Sequence, residues 1–366
     1  MTFWEKINNQ DASLGDSVIK SVQLPSSQVN EVFGEVNVAK FPESTEVLFT
    51  ILMEPTGGAS EGWQTGVALD ASLSMEEAYG MKMLAGPFGP APRDLINEYL
   101  AKGWITTEIR SGKTNYVISK DAKRDMVLRG HGVLSANEMQ PIAQEMTAYL
   151  AKNLDADGGT TVIYWACGEG DEIEEMGDLT AESCRNAIFE GPRAKVFGYN
   201  TFLLPAVKYF EEKFRDSDNG MYIFVTDGKL ADLPQVKDFT IQLCKQIESG
   251  QRNPMKCVLI GVGSEVDESQ MEELDDLDSG TEVDIWDHKI ASEMRQLVEI
   301  FAEVVSENHY VAPMGRISDE HGTVVADFTD GLPAKVSFSM APTSNYFELE
   351  VSGQIIRQSV NVGVQD

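Results

Sequence analysis

The middle of this chain alternates strand-like and helix-like segments, and that alternation limits the fold more than any other feature. Apolar runs over 64–70, 160–167, 221–226, 255–262 and 282–286 read as buried strands. Met139 to Asn153 puts Ile142, Met146, Tyr149 and Leu150 on one helical face. Phe202 to Phe214 repeats Leu203, Val207, Phe210 and Phe214, and Gln235 to Ile247 repeats Val236, Phe239, Leu243 and Ile247. A last helical pattern over 290–307 carries Met294, Leu297, Val298, Phe301, Val304 and Val305. Parallel strands need long crossovers, usually helical, so this rhythm predicts a mainly parallel sheet covered on both faces. Ligands of such sheets bind beyond the carboxyl ends of the strands.

The flanks differ. Residues 16–55 and 310–364 alternate with the two-residue period of short antiparallel strands, punctuated at Pro25, Pro42 and Pro55. Neither flank alone has many strands, so the two together predict one β-sandwich that brings the chain ends into one domain. The central rhythm is also interrupted. Between Met75 and the helix at 139 lie roughly sixty residues, where a strand-to-helix connection takes about two to six. This stretch opens with Gly86-Pro87-Phe88-Gly89-Pro90-Ala91-Pro92. A helix over Asp94 to Lys102 and strands over Trp104 to Arg110 and Thr114 to Ser119 follow. It reads as a small α+β insert. The expected layout is therefore N-terminal sandwich strands at 1–60, an α/β domain at 61–308 with an insert at 76–135, and C-terminal sandwich strands at 309–366.

Charge narrows the partners. The 366 residues hold 59 acidic and 29 basic side chains, a net charge of −30. That balance argues against nucleic-acid and anionic-membrane binding and favours cations and basic protein surfaces. The insert departs from it: nine basic and seven acidic residues over 76–135 leave it near +2. Acids crowd Glu169 to Asp178, and 264–287 holds eleven of them with no Lys or Arg. Both stretches read as loops that follow expected strands, and they predict a negative rim at the carboxyl edge of the sheet, or simply a solvated surface. The N-terminus lacks a signal-peptide pattern, no apolar run approaches the ~20 residues of a membrane span, and Cys167, Cys184, Cys244 and Cys257 show no close pairing. A cytoplasmic protein with reduced core thiols is expected.

Oxygen ligands collect at the strand ends. The run Thr65–Leu69 ends in Asp70-Ala71-Ser72-Leu73-Ser74, and Met221–Val225 ends in Thr226-Asp227-Gly228. Between them, Gly198-Tyr199-Asn200-Thr201 precedes an amphipathic helix and adds a third hydroxyl. Hard oxygens at this spacing suit a hard cation such as Mg²⁺. Mn²⁺ and Ca²⁺ use overlapping ligand types. The plain alternative is a helix N-cap, which Ser and Asp favour. Other matches fail. Ser111-Gly112-Lys113-Thr114 lacks the first glycine of a phosphate loop, and Asn153 to Gly158 lacks the closing Glu of a calcium loop. His131, His288, His309 and His321 show no ligand spacing, and no G-x-S-x-G or H-E-x-x-H occurs.

D-x-S-x-S at Asp70, Ser72 and Ser74, a threonine at Thr201 and an aspartate at Asp227, in this order, resemble the metal-ion-dependent adhesion site of the von Willebrand factor A domain. The resemblance covers about residues 60 to 308 apart from the insert. It implies a Rossmann-like fold in which Ser72, Ser74 and Thr201 ligate a metal, with Asp70 and Asp227 acting directly or through water. It also implies an open coordination position that an acidic side chain of a partner fills. The loop carrying Thr201 is not glycine-rich, and the insert begins where the family has a helix. Bacterial cytoplasmic relatives work with AAA+ ATPases of the MoxR or magnesium-chelatase type, so the resemblance implies an adaptor or assembly subunit and no enzyme. A structural subunit whose metal only shapes a loop, and a metal-assisted hydrolase using the same carboxylates, are the alternatives.

Overall fold

The structure, a computed structural model, describes residues 20–53, 63–110, 113–263, 266–291 and 310–361. It is a mixed α/β protein with several sheets, one of which is built largely of parallel strands. The chain divides into two compact units: Met1–Glu61 with Met294–Asp366, and Gly62–Glu293.

In the first unit, strands from both ends of the chain share a sheet. Lys335–Met340 pairs antiparallel with Thr45–Ile51, which continues through Phe33–Lys40 to Lys20–Gln23. Lys335–Met340 alternates strictly, with Val336, Phe338 and Met340 buried and the residues between them exposed. A second four-stranded sheet runs Val324–Phe328, Gly315–Asp319, Tyr346–Val351, Gln354–Ser359. Phe33, Phe49 and Phe338 of the first sheet meet Phe347 of the second at ring separations of 5.6, 5.0 and 5.1 Å. Four aromatic rings thus form the seam between the sheets, in the tilted, edge-on and offset geometries that such rings prefer.

The second unit is built on a six-stranded sheet. Its strands in chain order are β1 (Trp63–Asp70), β2 (Gly159–Cys167), β3 (Glu172–Thr180), β4 (Asn219–Thr226), β5 (Met255–Gly261) and β6 (Trp286–Ile290). Their spatial order is β3-β2-β1-β4-β5-β6, parallel throughout except for β3, which runs antiparallel to β2. β1, β2, β4 and β5 are almost entirely buried, as their unbroken apolar runs require. Helices Leu204–Lys213, Leu233–Glu248 and Glu268–Asp275 contribute Phe210, Val236, Leu243 and Met271 to one core cluster with Trp165, Phe224 and Trp286. Helix Met139–Asn153 packs on β1 and β2.

Three elements differ from the sequence reading. The last strand is Trp286–Ile290 rather than 282–286, and the helical pattern at 290–307 lies almost wholly outside the described residues. The acidic stretch Glu169 to Asp178 is no loop. Most of it is the edge strand β3, which has polar residues on both faces and two register shifts. Edge strands tolerate charge and bulges because both block pairing with another chain. The insert holds more than a helix and a hairpin. Beside Arg93–Ala101 and the hairpin Ile105–Arg110/Lys113–Ile118, it has a second helix, Lys120–Leu128, and a strand pair, Met83–Ala85/Gly132–Leu134. Leu95, Tyr99, Ile105, Ala122 and Met126 give it a small core of its own.

Candidate metal centre

β1 and β4 lie side by side and end together, so parallel register alone delivers Asp70 and Thr226-Asp227 to one edge. Asp70 is fully buried. Its Oδ1 accepts the Ser72 N–H at 2.6 Å, which turns the chain off the sheet. Its Oδ2 accepts the Thr226 hydroxyl at 2.6 Å, which ties β1 to β4. The Gly228 N–H donates back to Thr226 Oγ1 at 3.2 Å. Ser72 stands at the N-cap of the short 3₁₀ turn Leu73–Glu76, yet its side chain makes no capping bond. Its Oγ instead lies 3.0 Å from Ser74 Oγ, and Ser74 donates to Asp227 Oδ1 at 2.9 Å. The capping alternative raised by the sequence is therefore not what the hydroxyls do.

Thr201 arrives from a third loop. An ideal Cβ on Gly228 would stand 3.8 Å from Ser74 Oγ and 4.0 Å from Thr201 Oγ1, so both hydroxyls border the same small space. The Thr201 carbonyl accepts the Ala231 N–H at 2.9 Å, and Asp232 accepts the N–H groups of Leu203 and Leu204 at 2.8 and 2.9 Å. Asp232 thereby satisfies amides at the start of helix Leu204–Lys213 and fixes the loop that carries Thr201. Upstream, Gly198 donates to the Ala71 carbonyl at 2.8 Å and accepts from Leu73 N–H at 2.7 Å, a parallel bridge to Ser72. A Cβ on Gly198 would fall 1.9 Å from the Ala166 carbonyl oxygen. One glycine, rather than a glycine-rich loop, gives the close approach.

All five residues picked from the sequence, Asp70, Ser72, Ser74, Thr201 and Asp227, thus gather at one strand-end edge. Burial pushes the Asp70 carboxyl up to about 7, against the opposing pull of its bonds to Thr226 and Ser72, and the Asp227 charge raises it further. A desolvated carboxylate beside a second carboxylate and three hydroxyls is a donor set that a small oxygen-seeking cation would complete. Among the described residues no group of three or more His, Cys, Asp or Glu comes together, so any ion here rests mainly on hydroxyls. The described histidines bond elsewhere: His131 to the Gly89 carbonyl, His288 to Asp275 and His321 to Thr343. All four cysteines are free and buried, and burial lifts Cys167, at the end of β2, to about 12.

Much of the acidic surface foreseen near this edge is engaged. Glu174 accepts the backbone N–H groups of Arg193, Ala194 and Lys195 at 2.6, 2.8 and 2.7 Å. Glu172 pairs with Lys195 and Asp267 with Lys229. Asp284 and Asp287 instead pair with Lys256 at the amino ends of β5 and β6, the opposite edge from the one expected, because the acidic run continues into the start of β6. The sequence showed these as a rim of charge. It could not show that Glu174 anchors the segment leading to Gly198.

No protein-family model matches the chain, and no curated protein does. Among solved structures, the PilB minor pilin from Streptococcus sanguinis is similar at TM-score 0.34 and 9% identity, over 79% of this chain and 76% of that one. A point mutant of the same pilin is similar at TM-score 0.36 and 9% identity, over 79% and 78%.

Proposed function

We propose that the chain is a metal-dependent protein-interaction module of the von Willebrand factor A type. It would take Mg²⁺ at Ser72, Ser74 and Thr201, with Asp70 and Asp227 acting directly or through water. The observation that carries this reading is the convergence of three loops on a buried carboxylate whose charge is opposed by burial and by Asp227. The strand order supports it: β3-β2-β1-β4-β5-β6 is the order of doubly wound sheets, which bind ligands at the carboxyl edge. Action by binding rather than turnover fits the engagement of the described histidines elsewhere. A bound cation would turn the acidic edge into an acceptor for a partner carboxylate. An AAA+ ATPase of the MoxR type is the partner class that the family resemblance supplies. Four free buried thiols suit a cytoplasmic setting, and among the described residues no helix is long and apolar enough to cross a membrane.

The test uses the full chain. Mg²⁺ titration by calorimetry should show one site, lost in the Asp70→Ala/Asp227→Ala double variant. Partner capture should be lost with chelator and restored by Mg²⁺. Capture that survives chelation would leave any metal a structural part only. Phosphoester turnover abolished by Asp227→Ala would replace the binding reading with a hydrolytic one.

A further inference from the structure

We infer that helix Lys120–Leu128 of the insert is a clamp that holds the two site-forming loops in register, with Lys123 as its positioning residue. The inference rests on the metal reading of the site, which it deepens. Lys120, Lys123 and Arg124 stand at i, i+3 and i+4, the spacing that puts three side chains on one helical face. Lys123 bonds to the turn of the candidate site, and Lys120 and Arg124 bond to Glu190 and Gly191, upstream of the loop that carries Thr201.

Lys123 is only 6% exposed. Its Nζ is ion-paired with Glu76 and donates to the Met81 carbonyl at 2.8 Å. Glu76 ends the 3₁₀ turn that begins right after Ser72 and contains Ser74. A buried ammonium therefore fixes the turn two residues from a candidate ligand. Buried charges are held only when paired, so this contact cannot loosen cheaply.

The same helix face grips the second loop. Lys120 Nζ donates to the carbonyls of Glu190 and Gly191 at 2.9 and 3.2 Å, and Arg124 forks onto both Glu190 oxygens at 3.1 and 3.0 Å. Gly191 lies under the Phe197 ring, and Phe197 precedes Gly198, whose backbone pairs with Ala71 and Leu73. Tyr79, buried where the insert leaves the sheet, sets its ring edge-on to Tyr164 and tilted against Phe197, at 5.8 Å from each. One helix thus touches the Asp70–Glu76 segment directly and reaches the Gly198–Thr201 segment through Glu190, Gly191 and Phe197. Lys120, Lys123, Arg124, Lys82, Lys102 and Arg129 are all bonded within the unit.

The experiment compares wild type, Lys123→Met, Lys123→Arg and the Glu76→Gln/Lys123→Met double variant, which removes the pair without stranding a buried charge. Lys82→Met, which breaks an exposed pair in the same insert, is the control. Two readouts are taken on the full chain: hydrogen exchange at the Leu73 and Gly198 amides, and Mg²⁺ affinity by calorimetry. The double variant should be folded, exchange those amides at least tenfold faster and bind Mg²⁺ about tenfold more weakly. Lys123→Arg should recover most of both, and Lys82→Met should match wild type. Unchanged exchange at the two amides overturns the clamp. Faster exchange with Mg²⁺ affinity within twofold of wild type overturns its role in positioning the metal ligands. A wild-type chain that binds no Mg²⁺ overturns the metal reading instead, and the exchange readout then still decides the clamp.

Discussion

At the amino end of β1, Asp155 lies 6% exposed and accepts four donors: Thr65 N–H at 2.9 Å, Thr65 Oγ1 at 3.0 Å, Asp157 N–H at 3.0 Å and Gly159 N–H at 3.3 Å. At the carboxyl end, Asp70 is fully buried, is bonded by Thr226 and Ser72 and sits beside Asp227. The first aspartate is saturated and ties a turn to a strand. The second is desolvated beside another carboxylate, and burial drives its carboxyl up to about 7 against its bonds to Thr226 and Ser72. Two buried aspartates, one bonded near the start of this strand and one at its end, thus separate a carboxylate tied by four donors from one crowded by a second carboxylate. Donors and neighbouring charge together make that distinction where residue type does not.

The comparison breaks most sharply under substitution. Asp155→Ala orphans buried donors, and should cost about 3 kcal/mol or more in chemical denaturation, with or without Mg²⁺. Asp70→Asn should cost less than about 1 kcal/mol at pH 8 without metal, because it removes a desolvated charge. Asn can keep its oxygen on Ser72 N–H and turn its amide to Thr226 Oγ1. Stabilisation by added Mg²⁺ should disappear in this variant. An Asp70→Asn chain as destabilised as Asp155→Ala, with no Mg²⁺ effect in the wild type, would make Asp70 a second structural tie.

Next in size is the pH response. A folded carboxyl near 7 sits above its unfolded value, so the fold keeps a proton that the unfolded chain has lost between about pH 4 and 7. Metal-free stability should therefore fall across that window, by about 1.4 kcal/mol per pH unit at most, and level off above it. The difference between the wild-type and Asp70→Asn curves isolates this group from the other carboxyls. Mg²⁺ at the proposed site would compete with that proton, so its affinity should rise from pH 6 to 8. Parallel wild-type and Asp70→Asn curves would remove the contrast between the two ends of β1.

A smaller effect is expected at Gly198. An added Cβ meets the Ala166 carbonyl oxygen at 1.9 Å, so Gly198→Ala must push the two segments apart. The cost should be about 1–3 kcal/mol, as for overpacked sites, together with weaker Mg²⁺ binding. Unaltered Mg²⁺ binding would show that Thr201 is placed independently of Gly198.

Much of this edge was legible in the sequence, for a physical reason. Fully buried parallel strands leave continuous apolar runs, and polar residues directly after such runs must lie at the sheet's end. That logic picks out Asp70, Ser72, Ser74 and Asp227, and the helix pattern from Phe202 places Thr201. It fails where burial does not follow hydrophobicity. β3 reads Glu-Ile-Glu-Glu-Met-Gly-Asp-Leu-Thr because an edge strand needs little apolar surface. Helix Lys120–Leu128 hides behind its charges, since its buried face includes Lys123, whose stem packs while its ammonium finds Glu76. β6 escapes for the same reason as β3: only Trp286 of its five residues is fully buried.

The smallest expected effect tests whether the carboxyl edge is strained for a purpose. Ala166, the last residue but one of β2, has φ at 55°, in the left-handed region that glycine occupies freely. Its carbonyl is the atom pressed against Gly198, and the preceding Trp165 carbonyl accepts Ala71 N–H at 2.8 Å. Ala166→Gly should relieve about 1–2 kcal/mol of backbone strain and lose about 0.5–1 kcal/mol to the freer unfolded chain. A net gain of about 0.5–1 kcal/mol should appear in denaturation. The informative quantity is Mg²⁺ affinity in the same variant. If stability rises and affinity falls, the strained alanine is holding β2 against the Gly198 loop in the geometry the metal needs, and the carboxyl end of β1 differs from its amino end in stored strain as well as in hydrogen bonding and charge. If stability rises and affinity is unchanged, the strain is incidental and the contrast between the two ends reduces to hydrogen bonding and charge.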